Sequence, residues 1–503
     1  MRPAAASAAP SPDADTAALA KGGRTNFFGF ILRLVARLPF LYVAGRWYGA
    51  EAVGRFALAV LVIELVAQLA TLGLKRGLAE QLSAPGADHR HVVWDGMFVA
   101  LLASAVGSAI LFLFPMFMFP SGDISVPDRC MAFLVFAIAG TEIALAACAY
   151  RYDIGATVRA RAIVEPWVIS VAAAGFWYVS VKDGLMLSYA AAMAGAFLTA
   201  LWPMIRHYGG PGVWRPNPAH LIKVARRNLP LAAADAIEWG TRRLDLFILG
   251  QFTSPTVYGI YYMAQQVASL PQKLKTSFEP ILGPVITRNL AEKRLGAVAA
   301  QVSQVGFWII AAQAGVALAL GIPGQAVMGL VGPEFVVGTA ALAFLLAAEV
   351  VAATAVVSEA ALVYVARHRN LLISLATLAL QAVLSVIFIL IARSMGWDEI
   401  HYAAAVALAL MLALGFASVT KAMLLSRILG TRVNSLRWAL VWAMAGATVL
   451  GWGATRLPEW AELLIGVPVI LGIYGWLIWT RGFGPEDRAL FRKHPEPAAE
   501  AAG

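Results

Sequence analysis

Residues 45–65, GRWYGAEAVGRFALAVLVIEL, return in degenerate form at residues 250–270 as GQFTSPTVYGIYYMAQQVASL. In each copy a short glycine-bounded turn joins two apolar segments, and the register between copies is constant. Gly45 and Gly250, Gly54 and Gly259, and the upstream Arg37 and Arg242 are each 205 positions apart. Solenoid units repeat every 20–50 residues or so. A repeat four times longer suits a duplicated membrane domain instead.

Composition agrees about the solvent. Hydrophobic residues make up 60% of the chain and charged ones 14%, against about 45–50% and about 25% in soluble domains. Crossing a bilayer takes about 20 mostly apolar residues, and fourteen segments qualify: 26–48, 52–74, 92–119, 129–150, 162–181, 184–205, 229–252, 255–287, 296–321, 336–365, 371–391, 401–423, 437–455 and 461–480. Strand patterning is absent. The expected fold is therefore an all-α polytopic membrane protein of fourteen transmembrane helices. Two six-helix bundles, 26–205 and 229–424, form a parallel repeat, since an even number of helices returns each copy to the same side. The Gly/Pro-rich segment 206–228 is a cytoplasmic linker between them, and 425–480 adds helices thirteen and fourteen. The Ala/Pro/Ser-rich residues 1–25 and the similar 481–503 read as cytosolic tails, not as a secretory signal.

With both termini cytoplasmic, about 27 of the 39 Lys and Arg fall on the inner side, about 6 in outer loops and about 6 within the membrane. The inner clusters include Lys75–Arg76, Arg151 with Arg159 and Arg161, Arg226–Arg227, Lys293–Arg294, Arg367 with Arg369, and Arg427 with Arg432. The net charge of +10 does not signal nucleic acid, which needs its basic residues on one folded face. Cys130 and Cys148 make neither a disulfide framework nor a metal site. No nucleotide, metal or nucleophile motif appears, so no catalytic residue or cofactor is assigned; energy would come from a proton or sodium gradient or from glycan consumption outside.

Ionisable residues at bilayer depth cost at least about 2.5–3.5 kcal/mol each on insertion scales and face a bundle interior or an aqueous cavity. On the first helix Arg33 and Arg37 share a face. On the seventh, Asp235, Glu238, Arg242 and Asp245 lie on one stripe, with Arg243 beside it. The second carries Glu64, Gln68 and Thr71. The eighth carries Gln265, Gln266, Lys273 and Lys275 around Pro271. Glu349 and Glu359 sit on the tenth, Glu142 and Glu165 on the fourth and fifth. One reading makes these structural ion pairs, Arg37 with Glu64 and Arg242 with Glu238 or Asp245. The other makes them a cavity. Arg33, Arg37, Arg242, Arg243, Lys273 and Lys275 would bind a phosphate group, and Glu64, Asp235, Glu238, Asp245, Glu349 and Glu359 would balance the empty site or take up the coupling ion. Trp47, Trp239, Tyr258, Tyr261 and Tyr262 would stack on sugars or belong to the interfacial belt.

The run GRWYGAEAVGRFALAV with ATLGLKRGLAEQLS, and in the second half RRNLPLAAADAIEWGTRRLDLFILGQFTSPTVYGIYYMAQQVASLP with FEPILGPVITRNLAE, resembles the multidrug/oligosaccharidyl-lipid/polysaccharide exporter superfamily and its polysaccharide flippase branch. That resemblance implies an alternating-access flippase for undecaprenyl-pyrophosphate-linked oligosaccharide in a bacterial inner membrane. It would feed O-antigen or exopolysaccharide assembly beside a polymerase and export machinery. The branch places basic residues of the first and seventh helices at the lipid pyrophosphate, here Arg33, Arg37, Arg242 and Arg243. Fourteen helices also fit a peptidoglycan-precursor flippase, whereas drug exporters usually stop at twelve. A cation-coupled drug exporter would want carboxylates and aromatics in its cavity. A membrane glycosyltransferase would want a large outer loop, and the outer loops are short.

Overall fold

The computed structural model describes residues 38–120, 124–212, 214–276, 286, 289–290, 292–484 and 487–488. The side chains of residues 154, 234, 238, 242 and 272–276 also lie outside that description. All regular structure among the described residues is helical, and each of the fourteen expected spans overlaps a helix. These are α1 (38–48), α2 (Gly49–Ala70), α3 (His89–Leu113), α4 (Val126–Tyr150), α5 (154–176), α6 (Gly184–Tyr208) and α7 (Pro218–Leu249), followed by α8 (Pro255–Thr276), α9 (Leu295–Gly321), α10 (Thr339–Val365), α11 (Arg367–Ser394), α12 (Glu399–Leu429), α13 (Trp438–Ala454) and α14 (Glu459–Gly482). Short helices at Leu74–Leu82 and Gly324–Val331 cap opposite ends of the bundle.

Local chemistry sets several of these starts. Asp88 accepts hydrogen bonds from the backbone N–H groups of Arg90 and His91 at the head of α3. Ser125 and Asp128 form a reciprocal capping box at the head of α4. Asn217 caps α7, whose first residue is Pro218.

Nine described helical segments are long and apolar enough to cross a membrane unaided, but α5, α7 and α8 are not among them. Their sequences explain why: α5 holds Arg159, Arg161 and Glu165, α7 holds five charges between Asp235 and Asp245, and α8 holds three glutamines and two lysines. Helices of this polarity need an interior position or an aqueous lining. The same helices supply the site described below.

The repeat is visible as a contact. At Gly54 on α2 a Cβ atom would overlap the carbonyl of Pro255, and at Gly259 on α8 it would overlap the carbonyl of Ala50. Those two encounters exchange under the 205-residue shift, so the contact is reciprocal, as around a two-fold axis. Small residues four apart let the two backbones approach this closely. Around the crossing a single apolar core joins α2, α4 and α6 to α8, α10 and α12. Helices α13 and α14 pack on each other and on α9, where the Tyr474 hydroxyl donates to the carbonyl of Ala311 at 2.8 Å. Arg437 at the head of α13 pairs with Asp487 at 2.5 Å, and Trp308 of α9 donates to the same carboxylate at 2.9 Å.

Candidate functional site

A cavity of about 170 Å³ opens between α2, α5, α6, α7 and α8. Its floor and walls are apolar, with Phe40, Phe56, Ile169 and Leu246 among them, but four charged side chains and two tyrosines project into it. Glu64 comes from α2, Arg161 and Glu165 from α5, Tyr189 from α6, Arg243 from α7 and Tyr262 from α8.

The charges are exchanged between elements. The Arg243 guanidinium lies 3.4 Å from Glu64, and the Tyr189 hydroxyl donates to the other oxygen of the same carboxylate, also at 3.4 Å. Arg161 bridges Glu165, at 2.7 Å, and Glu142 of α4. Both guanidiniums and their three carboxylates are about 30% exposed at the side chain, Glu142 included. A guanidinium held this way keeps donors to spare, because each carboxylate engages only part of its five-N–H fork. The arrangement can therefore accept an anion by trading one oxygen partner for another.

Of the cations that the sequence points to, Arg243 lines this cavity. Arg33 and Arg37 lie outside the described residues, as do the side chains of Arg242, Lys273 and Lys275, and of Glu238 among the carboxylates. The remaining carboxylates are dispersed. Asp235 is buried against Arg76 at 2.7 Å and Lys75 at 4.0 Å, at the basic end of α7. Asp245 accepts hydrogen bonds from the Tyr261 hydroxyl and from Gln265, both at 2.8 Å. Glu359 pairs with Lys421 of α12 at 2.8 Å, while Glu349 lies half-buried ten residues before it on α10. The stripe on α7 thus serves three different neighbours. The described partners of Glu64 are Arg243 and Tyr189, where the sequence suggested Arg37. Tyr258 and Tyr261 are fully buried, which removes them from both the belt and a sugar-stacking surface; Tyr262 keeps a place at the cavity. Trp47 packs against Trp177 with the rings tilted and their centroids 5.5 Å apart.

Two cations were not singled out from the sequence. Arg161 looked like part of an inner basic cluster, yet it lines the cavity; its spacing of four from Glu165 was the available signal. Lys421, 4% exposed, sits inside an apolar run and had a signal in its isolation alone.

On the face opposite the basic clusters, the two halves are tied by main-chain hydrogen bonds. Arg46, at the end of α1, donates to the carbonyls of Gly329 at 2.8 Å and Leu330 at 3.4 Å. Those carbonyls end the helix Gly324–Val331, where the macrodipole favours a cation. Glu334 accepts from the N–H of Ala50 in the first turn of α2 at 2.9 Å, the matching use of an anion at a helix start. Asp128 of α4 reaches the same helix by pairing with Arg55.

The fold is that of MATE transporters. An inward-facing multidrug resistance MATE family transporter of the MOP superfamily superposes with a TM-score of 0.64 at 13% identity, covering 80% of this chain and 96% of that one. An outward-facing one gives 0.54 at 13% identity, covering 84% and 98%, and a MATE structure in a bent conformation gives 0.53 at 12%, covering 83% and 98%. At this level of identity the likeness is one of fold. No protein-family model and no curated protein matches the sequence. The MATE structures are covered almost end to end, while about a fifth of this chain has no counterpart in the inward-facing one.

Proposed function

We propose that this chain is an alternating-access transporter of a bacterial inner membrane, with both termini cytoplasmic, whose cargo is a lipid-linked oligosaccharide carried on a pyrophosphate. The observation that carries this reading is the cavity in which Arg243 and Arg161, from separate halves of the repeat, stand within one set of walls. Pyrophosphate is the ligand class that two guanidiniums recognise best, through paired N–H···O bonds. In the empty site Glu64, Glu142 and Glu165 hold the arginines in place. An entering pyrophosphate displaces them, and the released carboxylates become free to take up a proton or sodium ion.

Size supports the assignment. Pockets for drug-sized ligands run to about 300–1,000 Å³, and a cavity of about 170 Å³ suits a charged headgroup while leaving the glycan to the gap between the halves. The bundles 26–205 and 229–424 are the moving halves in this reading, and the hydrogen bonds of Arg46 and Glu334 close the outer face while the inner one admits cargo. Multidrug export is the second reading, favoured by the fold neighbours, which are multidrug resistance transporters.

The two readings part in one experiment. In a host lacking its own flippase, the intact protein restores surface glycan, and Arg243→Ala and Arg161→Ala each abolish the rescue at unchanged membrane abundance. Ethidium efflux by the same strains stays at background. Efflux without rescue would replace the flippase reading by the drug-export one.

A further inference from the structure

The basic face of the first bundle carries a second groove, which shares no lining residue with the cavity. It lies where α5 begins and α6 ends, with a volume of about 430 Å³, and is lined by Asp153, Arg159, Trp202, Pro203, Arg206 and His207. The geometry points to a binding site for the phosphate headgroup of an anionic membrane lipid, held by Arg159, Arg206 and His207 with Trp202 at its membrane edge.

The general excess of cations on one face of a membrane protein accounts for the charge here but not for the shape. Four features of the groove do. Residues 158–164 of α5 wind as a π-helix, a wider turn that recurs at functional sites, and Arg159 sits on it. Pro203 lies inside α6 and supplies no N–H to the backbone ladder. Arg206 makes no hydrogen bond or ion pair with any described residue, although it shares the groove with Asp153. That carboxylate is already taken, by His207 at 3.1 Å and Arg159 at 3.7 Å. One carboxylate thus faces two guanidiniums and an imidazole, which leaves the groove short of an anion. Finally, Trp202 is 73% exposed, one turn of α6 deeper into the membrane than Arg206. An indole at that depth sits where tail meets headgroup.

The turn beside the groove strengthens the assignment. Tyr152 adopts a left-handed backbone, φ 59°, where glycine ordinarily ends a helix. Its side chain is 90% exposed, so packing against the protein does not explain a residue that costs about 1–2 kcal/mol in this conformation. An amphipathic ring displayed between Arg151 and Asp153 is placed to meet the same interface. A membrane lipid is the favoured source of the phosphate, because the exposed Trp202 lines the groove and the exposed Val158 adjoins Arg159 on α5, apolar surface suited to acyl chains. Soluble phosphate shares the headgroup chemistry and is the arm to be tested against it.

The test uses the full chain, purified in phosphatidylcholine nanodiscs doped with phosphatidylglycerol, and counts retained lipid by native mass spectrometry after extraction. The intact protein is expected to keep phosphatidylglycerol in preference to phosphatidylcholine, and the double variant Arg159→Gln/Arg206→Gln to bind it at least tenfold more weakly. Arg227→Gln, which removes an exposed cation paired with Glu80 on the same face, should leave binding unchanged, and Arg159→Lys/Arg206→Lys should retain part of it. Equal losses in the double variant and Arg227→Gln would reduce the groove to general surface charge and overturn the proposal. Inorganic phosphate at millimolar concentration should fail to displace the lipid; full displacement, with no preference for phosphatidylglycerol, would overturn the lipid assignment. Size-exclusion profiles identify any variant that fails to fold, in which case Trp202→Ala, predicted to weaken retention without altering charge, decides.

Discussion

The two copies of the repeat keep one register in sequence yet differ in chemistry at the same positions. In the first, Phe40 on α1 meets Phe56 on α2 edge to face, with centroids 5.9 Å apart. In the second, the positions 205 residues on are Asp245 and Tyr261, joined by a 2.8 Å hydrogen bond, and Gln265 donates to the same carboxylate where the first copy has Val60. The glycines at the crossing, by contrast, are retained in both. Backbone approach is what the duplication preserved, since a Cβ at either glycine has no space, whereas a buried pair of side chains can change from aromatic to polar as long as both members change together. The charge that links the copies obeys no symmetry at all: Glu64 pairs with Arg243, but their equivalents are Ser269 and Leu38.

The sharpest way to break the comparison is to put side chains at the crossing. Gly54→Val and Gly259→Val should each cost about 3 kcal/mol or more, the upper range of overpacking, read as loss of the monodisperse peak and a collapse of the melting temperature in detergent. Gly240→Ala on α7, where no described residue lies within 4 Å, is the control and should be neutral or slightly stabilising. If both valine variants fold normally, the reciprocal contact is not what holds the halves in register.

A smaller effect tests the diverged pair. Tyr261→Phe should lower stability by about 1–3 kcal/mol, because the Asp245 carboxylate loses one of its two described side-chain donors in a buried setting. Importing the whole first-copy set, Asp245→Phe, Tyr261→Phe and Gln265→Val, should recover most of that loss in thermal unfolding. A triple variant less stable than Tyr261→Phe would show that the second copy cannot accommodate the first copy's packing.

The smallest effect concerns the ties on the face opposite the basic clusters. Arg46→Ala removes the hydrogen bonds to Gly329 and Leu330, and about 1 kcal/mol, discounted for exposure, corresponds under the proposed alternating-access cycle to roughly a fivefold shift toward the state that opens this face. Reactivity of a cysteine placed at Trp177, beside Trp47, would report it. Unchanged reactivity would mean that the Gly54–Gly259 crossing alone sets the closed state.

Helix number, the duplication and its register were legible in the sequence, because each rests on a local count: apolar length, glycine spacing, and a constant shift. The concentration of charge on the seventh helix was equally legible. What each charge does was not. Asp235, Arg243 and Asp245 lie within eleven residues of one another, yet their partners come from the short helix Leu74–Leu82, from α2 and from α8 respectively. A turn of helix fixes the direction of a side chain but not the neighbour it meets, which depends on how helices 179 residues apart dock. For the same reason Arg161 read as a surface cation until α5 was set against α2 and α6. The sequence by itself determined that this chain is a duplicated, all-helical membrane protein with charge it cannot leave in lipid. The tertiary structure alone decided which of those charges share a cavity, because the cost of burying them is relieved only by partners that distant segments provide.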